Sequence, residues 1–593
     1  MDLNPVEYNN NNNNNITLSK KYSTIRRASF VTTTLAVMLG LLTIPITGGY
    51  YNYRTNSAFA IEQDKIQRSQ EPGLLTVNSG NQPDVGNFKL PNGYIIQPVL
   101  WNLSLPTSVA FDNNGNMYVA EAGYAYGGLK PMPKIIKIAN DGTMSVLTDR
   151  GLNGPINDIE YHKGKLYVSH RGIISTIDLA TQLKKDIIVG LPSTGDHHNN
   201  EIEFGPDGRL YWGQGTATNS GVVGIDNYHF GWLQVASDFH DVPGMNITLT
   251  GNATSTTRNP LSQDPNDTGT TGAFVPFGNS TVQGQSIKGE TKCNGCIISA
   301  KPEGFDLQIE AWGLRNPFGL AFSQNGTLLV TMNGADERGS RPIANDTDKI
   351  YTIDVTQPPN FYGWPDYFGN GEPVTEEKFH SVRGNQSLQF IMQDHPEVVK
   401  PLSEVQVAAA LTQVDFSNSS SFGHHGMAFA AEFGSMIPGT HAPQEVAEPV
   451  DQIGHKVIMI DPQAGNYSNF LSLKEHSHLF RPVGVEFNEQ EGALYVVSIG
   501  KMEVRMTLPN GTPLPNPMPW PYDNTGIVWK IVKTGDNATA TTTTSASEQQ
   551  QQQQSSNQTQ QQQQQQQNMT STNGDNNTGI IGTITEPFEN LFG

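Results

Sequence analysis

Between Pro106 and Gly500 one pattern keeps returning: apolar and polar residues alternate over a short run that ends on Phe or Tyr, the chain turns through a Gly, and alternation resumes. Copies begin at Pro106 (PTSVAFDNNGNMYVAEAG), Pro155 (PINDIEYHKGKLYVSHRG), Asn199 (NNEIEFGPDGRLYWGQG), Asn316 (NPFGLAFSQNGTLLVTMNG), His424 (HHGMAFAAEFGS, degenerate) and Arg481 (RPVGVEFNEQEGALYVVSIG). Period-two alternation on both arms of a Gly turn predicts a β-hairpin. A third run follows in most copies: KIIKIANDG, GIISTIDLA, KIYTIDVTQ, KVIMIDPQAG and GIVWKIVKTG. Units of three or four strands cannot bury both faces alone, but they do so when stacked radially. The six hairpins therefore predict an all-β, six-bladed β-propeller with long inter-strand insertions. The run Ile527–Val532 completes the last blade, and GYIIQPVLW, Gly93–Trp101, contributes to ring closure. Two long excursions, Gly215–Asn316 and Asp354–His424, read as binding loops or lids, or else as surface decoration.

The ends follow other rules. Residues 1–29 form a polar and basic N-terminus, with Lys20, Lys21, Arg26 and Arg27 preceding an uncharged run, Phe30–Tyr51. That run is long enough to span a bilayer as a hydrophobic N-terminal helix, and the flanking positive charge keeps the N-terminus inside and exports the rest. A small-residue site, Ser57–Ala60, offers cleavage as the alternative to anchoring. Residues 52–92 read as a linker, 93–534 as the propeller with its insertion at about 230–305, and 535–593 as a disordered Gln-, Thr- and Asn-rich tail. The expected location is the cell surface or outside, either anchored or secreted after signal cleavage. Acceptor triplets at Asn246, Asn252, Asn279, Asn345 and Asn466 are compatible with surface glycans.

Composition narrows the partners. Of 593 residues only 16% are charged, and the formal net charge is -20. Such a chain has no general attraction for phosphate backbones, so nucleic acid is excluded, and membrane contact is confined to the N-terminal segment. The two cysteines, Cys293 and Cys296, sit in KCNGC. A zinc site would need further ligands, and haem attachment would need a His where Ile297 stands. A small disulfide-closed loop remains.

In a propeller the residues just before each innermost strand gather at one mouth of the central channel. Those residues include Thr107, Asn157, Asp158, His197, His198, Asn199, Asn200, Arg315, Asn316, His424, His425 and Arg481. A histidine there can take a proton near neutrality. Arginines can hold an anion or stabilise developing alkoxide charge. The sequence has no nucleophile elbow, Rossmann fingerprint or P-loop, so redox chemistry would need a bound organic cofactor.

The stretches LPTSVAFDNNGNMYVAEAG, HHNNEIEFGPDGRLYWGQG, WGLRNPFGLAFSQNGTLLVTMNG, NFYGWPDYFG and RPVGVEFNEQEGALYVV resemble the glucose/sorbosone dehydrogenase family, soluble quinoprotein sugar dehydrogenases that use pyrroloquinoline quinone (PQQ). The resemblance covers most of Gly93–Lys533 and implies a six-bladed ring that oxidises a sugar or aldehyde and passes electrons to an acceptor it does not identify. It implies His197 as the base, with His198 as its neighbour, and Arg315 and Asn316 at the quinone and the reacting charge. Arg481 and His424 become further cofactor contacts. Calcium would bind to loop carbonyls of Gly334 and Ala335, since oxygen ligands suit that ion. Several positions depart from the family: Thr216 stands where an acidic partner of the histidine is expected, Leu152 where a glutamine would touch the cofactor, and Asn199, Asn200 and Glu201 where the family has Gly-Gly-Arg, and the insertion with KCNGC is foreign to its simplest members. Two other readings stay open. One is a non-catalytic surface propeller for binding or adhesion. The other is a calcium-dependent lactonase-type hydrolase using Asp158, Asn200 and Glu201.

Overall fold

The structure is a computed structural model that describes residues 77–123, 131–381, 388–435, 453–475, 477, 479–507 and 513–534. The basic N-terminus, the apolar run Phe30–Tyr51, the cleavage site Ser57–Ala60 and the tail 535–593 lie outside the described residues. Among the described residues no helix is long and apolar enough to cross a membrane.

Six antiparallel sheets carry the predicted repeats. Blade 1 runs Pro106–Phe111, Met117–Glu121, Lys134–Ile138 and Met144–Thr148, from the channel outward. Blade 2 is Ile156–His162, Lys165–His170, Ile173–Asp178 and Lys184–Val189. Blade 3 is Asn199–Phe204, Leu210–Gln214, Cys296–Ala300 and Gln308–Trp312, with Asn360–Phe361 added in parallel. Blade 4 is Asn316–Phe322, Leu328–Asn333, Asp348–Ile353 and Ser403–Val405. Blade 5 is Leu411–Phe416, Ala428–Glu432, Lys456–Ile460 and Tyr467–Leu473. Blade 6 is Pro482–Asn488, Ala493–Ser498 and Gly526–Lys533, and Tyr94–Leu103 pairs along Gly526–Lys533 as its outermost strand. The ring is thereby fastened by the N-terminal strand, as the run Gly93–Trp101 predicts. The innermost strands touch in cyclic order, blade 1 to 6 and back to 1.

The alternation has a direct physical reason. On the second strand of blade 1, Tyr118 and Ala120 pack toward blade 2, while Val119 packs toward blade 6. Each blade is buried on both faces, and an apolar cluster fills each gap between neighbours.

Three expectations need correcting. First, the degenerate fifth hairpin is out of register: the inner strand is Leu411–Phe416, and His424 lies in the turn that leads to Ala428–Glu432. LTQVDF has the expected alternation, but its turn is the long SNSSSFGHHG, so the second strand, MAFAAE, imitates a first. Second, the insertion spans the whole interval from Gln214 to Cys296, and Cys296 opens the third strand of blade 3. Third, the segment 52–92 is not wholly a linker: Phe88–Lys89 pairs with the outer strand of blade 5, and Asn78 bonds to Trp101.

Candidate active site at the channel mouth

All six inner hairpins slip register near the mouth, at Pro106/Ser108, Ile156/Asp158, Asn199/Ile202, Pro317/Gly319, Leu411/Val414 and Pro482/Gly484. A bulge re-aims the side chains around it. Here the bulges bring Thr107, Asn157, Asn200, Phe318, Thr412 and Val483, one residue from each blade, to the cavity at the mouth. Carboxylates behind the mouth then brace the ring: Asp158 accepts from Ile202 N–H (3.0 Å), and Glu201 accepts from Leu320 N–H (2.6 Å) and Val414 N–H (3.3 Å). Asp158 also takes Ser108 Oγ and Gln413 Nε2. Burial pushes Asp158 up to about 7 against these bonds. These carboxylates hold neighbouring blades together and are engaged by protein donors.

The mouth holds a cavity of about 320 Å³ with a polar lining that includes Asp196, His197, Asn200, Asn316, Asp336 and Arg338, and an apolar lining that includes Phe318, Phe433, Val483, Ile499 and Met502. Its polar side is an amide relay across blades 2 to 5. Asn157 donates to Asn199 O (2.8 Å), Asn200 to Asn316 Oδ1 (2.9 Å), Asn316 to Asn333 Oδ1 (2.7 Å), and Asn333 to Leu411 O (2.6 Å).

His197 is half-buried in this wall. Its Nδ1 lies 2.9 Å from Thr216 O and 3.2 Å from Thr216 Oγ1. A carbonyl only accepts, so Nδ1 carries the proton. Among the described residues Nε2 has no hydrogen-bond partner, which leaves its lone pair available. Burial, then the Arg315 and Arg338 guanidiniums, hold the imidazole well below its ordinary range, so it is neutral at physiological pH. The Thr216 carbonyl thus fixes the tautomer without favouring the cation, as a carboxylate there would. His198 is turned away from the solvent and pushed down to about 3 by burial, with Arg171 contributing.

The charged rim is a compensated network. Arg315 is bonded to Asn219 Oδ1 (3.0 Å) and Asp336 (2.9 Å). Arg338 reaches Asp196 (2.8 Å), Asp226 (2.6 Å) and Asp336 (2.8 Å), and lies 4.7 Å over the Phe230 ring. Asp346 and Asp348 fix the loop below: Ala335 N–H donates to Asp346 (2.6 Å) and Gly334 N–H to Asp348 (2.9 Å). Buried Lys349 ion-pairs with Asp346 at 2.6 Å.

The structure therefore brings His197, His198, Arg315, Asn316, Gly334 and Ala335 to one mouth. Arg481 stands behind the wall: its guanidinium donates to Phe433 O, Gly434 O and Ser435 O and packs on the Phe433 ring. His424 is not at the mouth; it stacks on Tyr94, ring centroids 5.8 Å apart, at the far end of blade 5. Leu152 is buried in the core between blades 1 and 2. Sequence reasoning missed Asp196, Asp336, Arg338, Phe230 and Asn333. Asp196 directly precedes the histidine pair, and Asp336 and Arg338 lie in the same NGADERG loop that supplied Gly334. Among the described residues no group of three or more His, Cys, Asp or Glu is arranged to hold a metal ion.

No family model and no curated protein matches the chain. Among solved structures it is similar to the holo PQQ domain of pyranose dehydrogenase from Coprinopsis cinerea, with 16% identity over 77% of this chain and 99% of that one, TM-score 0.46. It is similar to the calcium structure of a Trichoderma reesei enzyme of Carbohydrate-Active Enzymes Family AA12, with 13% identity, 77% and 99% coverage, and TM-score 0.47. It is also similar to the PQQ-bound aldose sugar dehydrogenase from Streptomyces coelicolor, with 15% identity, 75% and 99% coverage, and TM-score 0.40. At these identities the likeness is one of fold, and the six-bladed ring rests on the strand pairing already described.

Proposed function

We propose that this chain is an oxidoreductase that oxidises a hydroxyl-bearing carbon of a sugar or aldehyde hydrate, with His197 as general base and PQQ as cofactor. The observation that carries this reading is His197 itself: neutral, tautomer fixed by Thr216 O, Nε2 open at the cavity wall. The cavity is at the lower end of the usual size for a small-molecule site. Its donors suit PQQ, a planar polycarboxylate. The Arg338 guanidinium and the amides of Asn200 and Asn316 offer donors, beside Asp196 and Asp336, and Phe318, Phe433, Val483 and Ile499 offer apolar surface to a ring system.

Arg338 and Asn316 would hold PQQ directly, and Arg315 would fix the charge behind them through Asp336. Arg481 supports the wall through residues 433–435. The carbonyls of Gly334 and Ala335 would be the oxygen donors for a calcium ion, in a loop held by Asp346 and Asp348. PQQ, when bound, supplies a two-electron acceptor for the hydride, and calcium supplies Lewis acidity. His197 Nε2 takes the hydroxyl proton as the substrate carbon becomes a carbonyl, so proton and hydride leave in balance. The guanidiniums disfavour the imidazolium, so His197 would release the proton from Nε2 to solvent at the mouth. Export through Phe30–Tyr51 would put this chemistry at the cell surface, with a separate acceptor taking the electrons.

The test is reconstitution of the chain with PQQ and calcium, followed by dye reduction with a panel of aldoses and aldehydes. The expected result is quinone binding and turnover, with His197→Ala reducing turnover at least ~100-fold, the usual scale for removing a general base, while the fold persists. Undiminished turnover in that variant would remove His197 from the mechanism.

A further inference from the structure

The insertion in blade 3 returns to the ring through Cys293, Asn294, Gly295 and Cys296, and the two cysteines form a disulfide. Both are fully buried. The loop so closed lies directly behind His197. Asn294 Nδ2 donates to Pro192 O (3.0 Å) and to Gly215 O (2.8 Å). Its Oδ1 accepts from Val242 N–H (3.1 Å), and its own N–H donates to Val242 O (2.8 Å). One buried amide thus ties together the approach to the histidines, the strand end that leads into Thr216, and the insertion.

The neighbouring contacts leave that strand end little freedom. A Cβ on Gly215 would lie 2.4 Å from His197 Cβ and 2.5 Å from Asn316 Oδ1, so its backbone packs straight against the site. His197 N–H donates to Thr216 O (3.1 Å), and Gly215 N–H to His198 O (2.9 Å). Gly295, at φ 66°, accepts from Leu314 N–H (3.0 Å), and Thr216 N–H donates to Arg315 O (2.9 Å). From the other side Asp241 accepts from Ala217 N–H (2.6 Å) and from Thr218 Oγ1.

We infer that Asn294, held in its disulfide-closed loop, is a positioning residue: it fixes the Gly215–Thr216 backbone on which the His197 imidazole hangs and so sets its tautomer and orientation. This rests on the reading of His197 as the base, but its test does not require turnover. Without Asn294, Pro192 O and Gly215 O lose their shared donor, the strand end loosens, and water reaches the Nδ1 side. The charged groups around His197 are Arg315, Arg338 and Asp336, with Asp196 in the same cavity wall, and none of them is altered by the substitution.

The experiment is nitrogen-15 NMR of histidine-labelled full-length chain, wild type against Asn294→Ala, titrated over pH. In the wild type His197 is expected as the Nδ1–H tautomer, protonating well below the ordinary ~6.5. In the variant the Nε2–H form should appear and the midpoint should move up by about half a unit or more, a roughly threefold change in proton affinity. His424, stacked on Tyr94 at the far end of blade 5, should not move. If Asn294→Ala does not fold, Cys293→Ser with Cys296→Ser opens the loop while keeping Asn294, and the same upward shift is expected. An unchanged His197 spectrum in the folded variant overturns the inference. A shifted spectrum in a chain that never turns over sugar or aldehyde would keep the positioning role and remove the dehydrogenase reading.

Discussion

As the proposed base, His197 is a histidine whose conjugate acid the site disfavours. Burial and two guanidiniums lower its proton affinity, and Thr216 O offers a dipole where a carboxylate would offer a charge. The sign follows: a depressed pKa keeps the imidazole neutral, and so able to accept a proton, down into acid pH. The acid limb of kcat/KM should therefore fall well below the ordinary ~6.5 for histidine. Arg315→Met removes a nearby cation and leaves Asp336 less compensated, and both effects raise proton affinity. The limb should move toward neutral pH in that variant, as a pH–rate profile would show. His197 and Arg315 are legible in the sequence because both precede an inner strand, a position with a fixed place in the repeat. Arg338 and Asp196 are not, because their role comes from pairing across the mouth. No spacing rule joins Asp196, Asp226 and Arg338. His424 misleads because its two-histidine signature sits before the second strand of its blade rather than the first.

At the scale of the element, the closure strand shows which parts of the pattern carry fold information. Tyr94–Leu103 pairs with Gly526–Lys533 over nearly its full length, and Tyr94 donates to Phe422 O at 2.6 Å across to blade 5. The alternation in GYIIQPVLW makes that strand legible, although its partner lies at the opposite end of the propeller sequence. A closed ring brings its two ends together, so this pairing needs no long connection. The close approach at the seam makes a prediction. A Cβ on Gly526 would lie 2.1 Å from Pro106 Cδ, where blade 6 meets blade 1. Gly526→Ala should destabilise the ring by about 1–3 kcal/mol, the usual scale for overpacking, and lower Tm in a thermal melt. An unchanged Tm would mean that the seam is looser than this contact. The fifth blade is the least legible element, because hairpin recognition depends on a tight Gly turn. A long Ser- and Asn-rich turn hides the pairing of Leu411–Phe416 with Ala428–Glu432.

At the scale of the whole molecule, the ring builds something that no single blade shows. One position before the terminal Phe or Tyr, the inner strands of blades 2, 3, 5 and 6 carry Glu160, Glu203, Asp415 and Glu486, while blades 1 and 4 carry Ala110 and Ala321. Symmetry gathers these carboxylates in the channel beyond the mouth, with Asp158 nearby. Burial first, and then mutual repulsion, raises Glu160, Glu203 and Glu486 well above the ordinary carboxylate range, and burial raises Asp415 to about 7. A folded-state pKa above the unfolded value means that the native ring binds more protons than the unfolded chain. Its contribution to stability is therefore greatest at low pH and falls as pH rises from ~4.3 through the raised values. Buried neutral histidines such as His170, held at about 4, act in the opposite direction below ~6.5, so the diagnostic is a difference between chains. Glu160→Gln with Glu203→Gln should melt about 1–3 °C above wild type at pH 8, on the scale of ~1 kcal/mol in a large domain, and this gain should shrink steadily as the pH is lowered to ~5. A gain that does not change with pH would show that the carboxylates are not sharing the channel as charges.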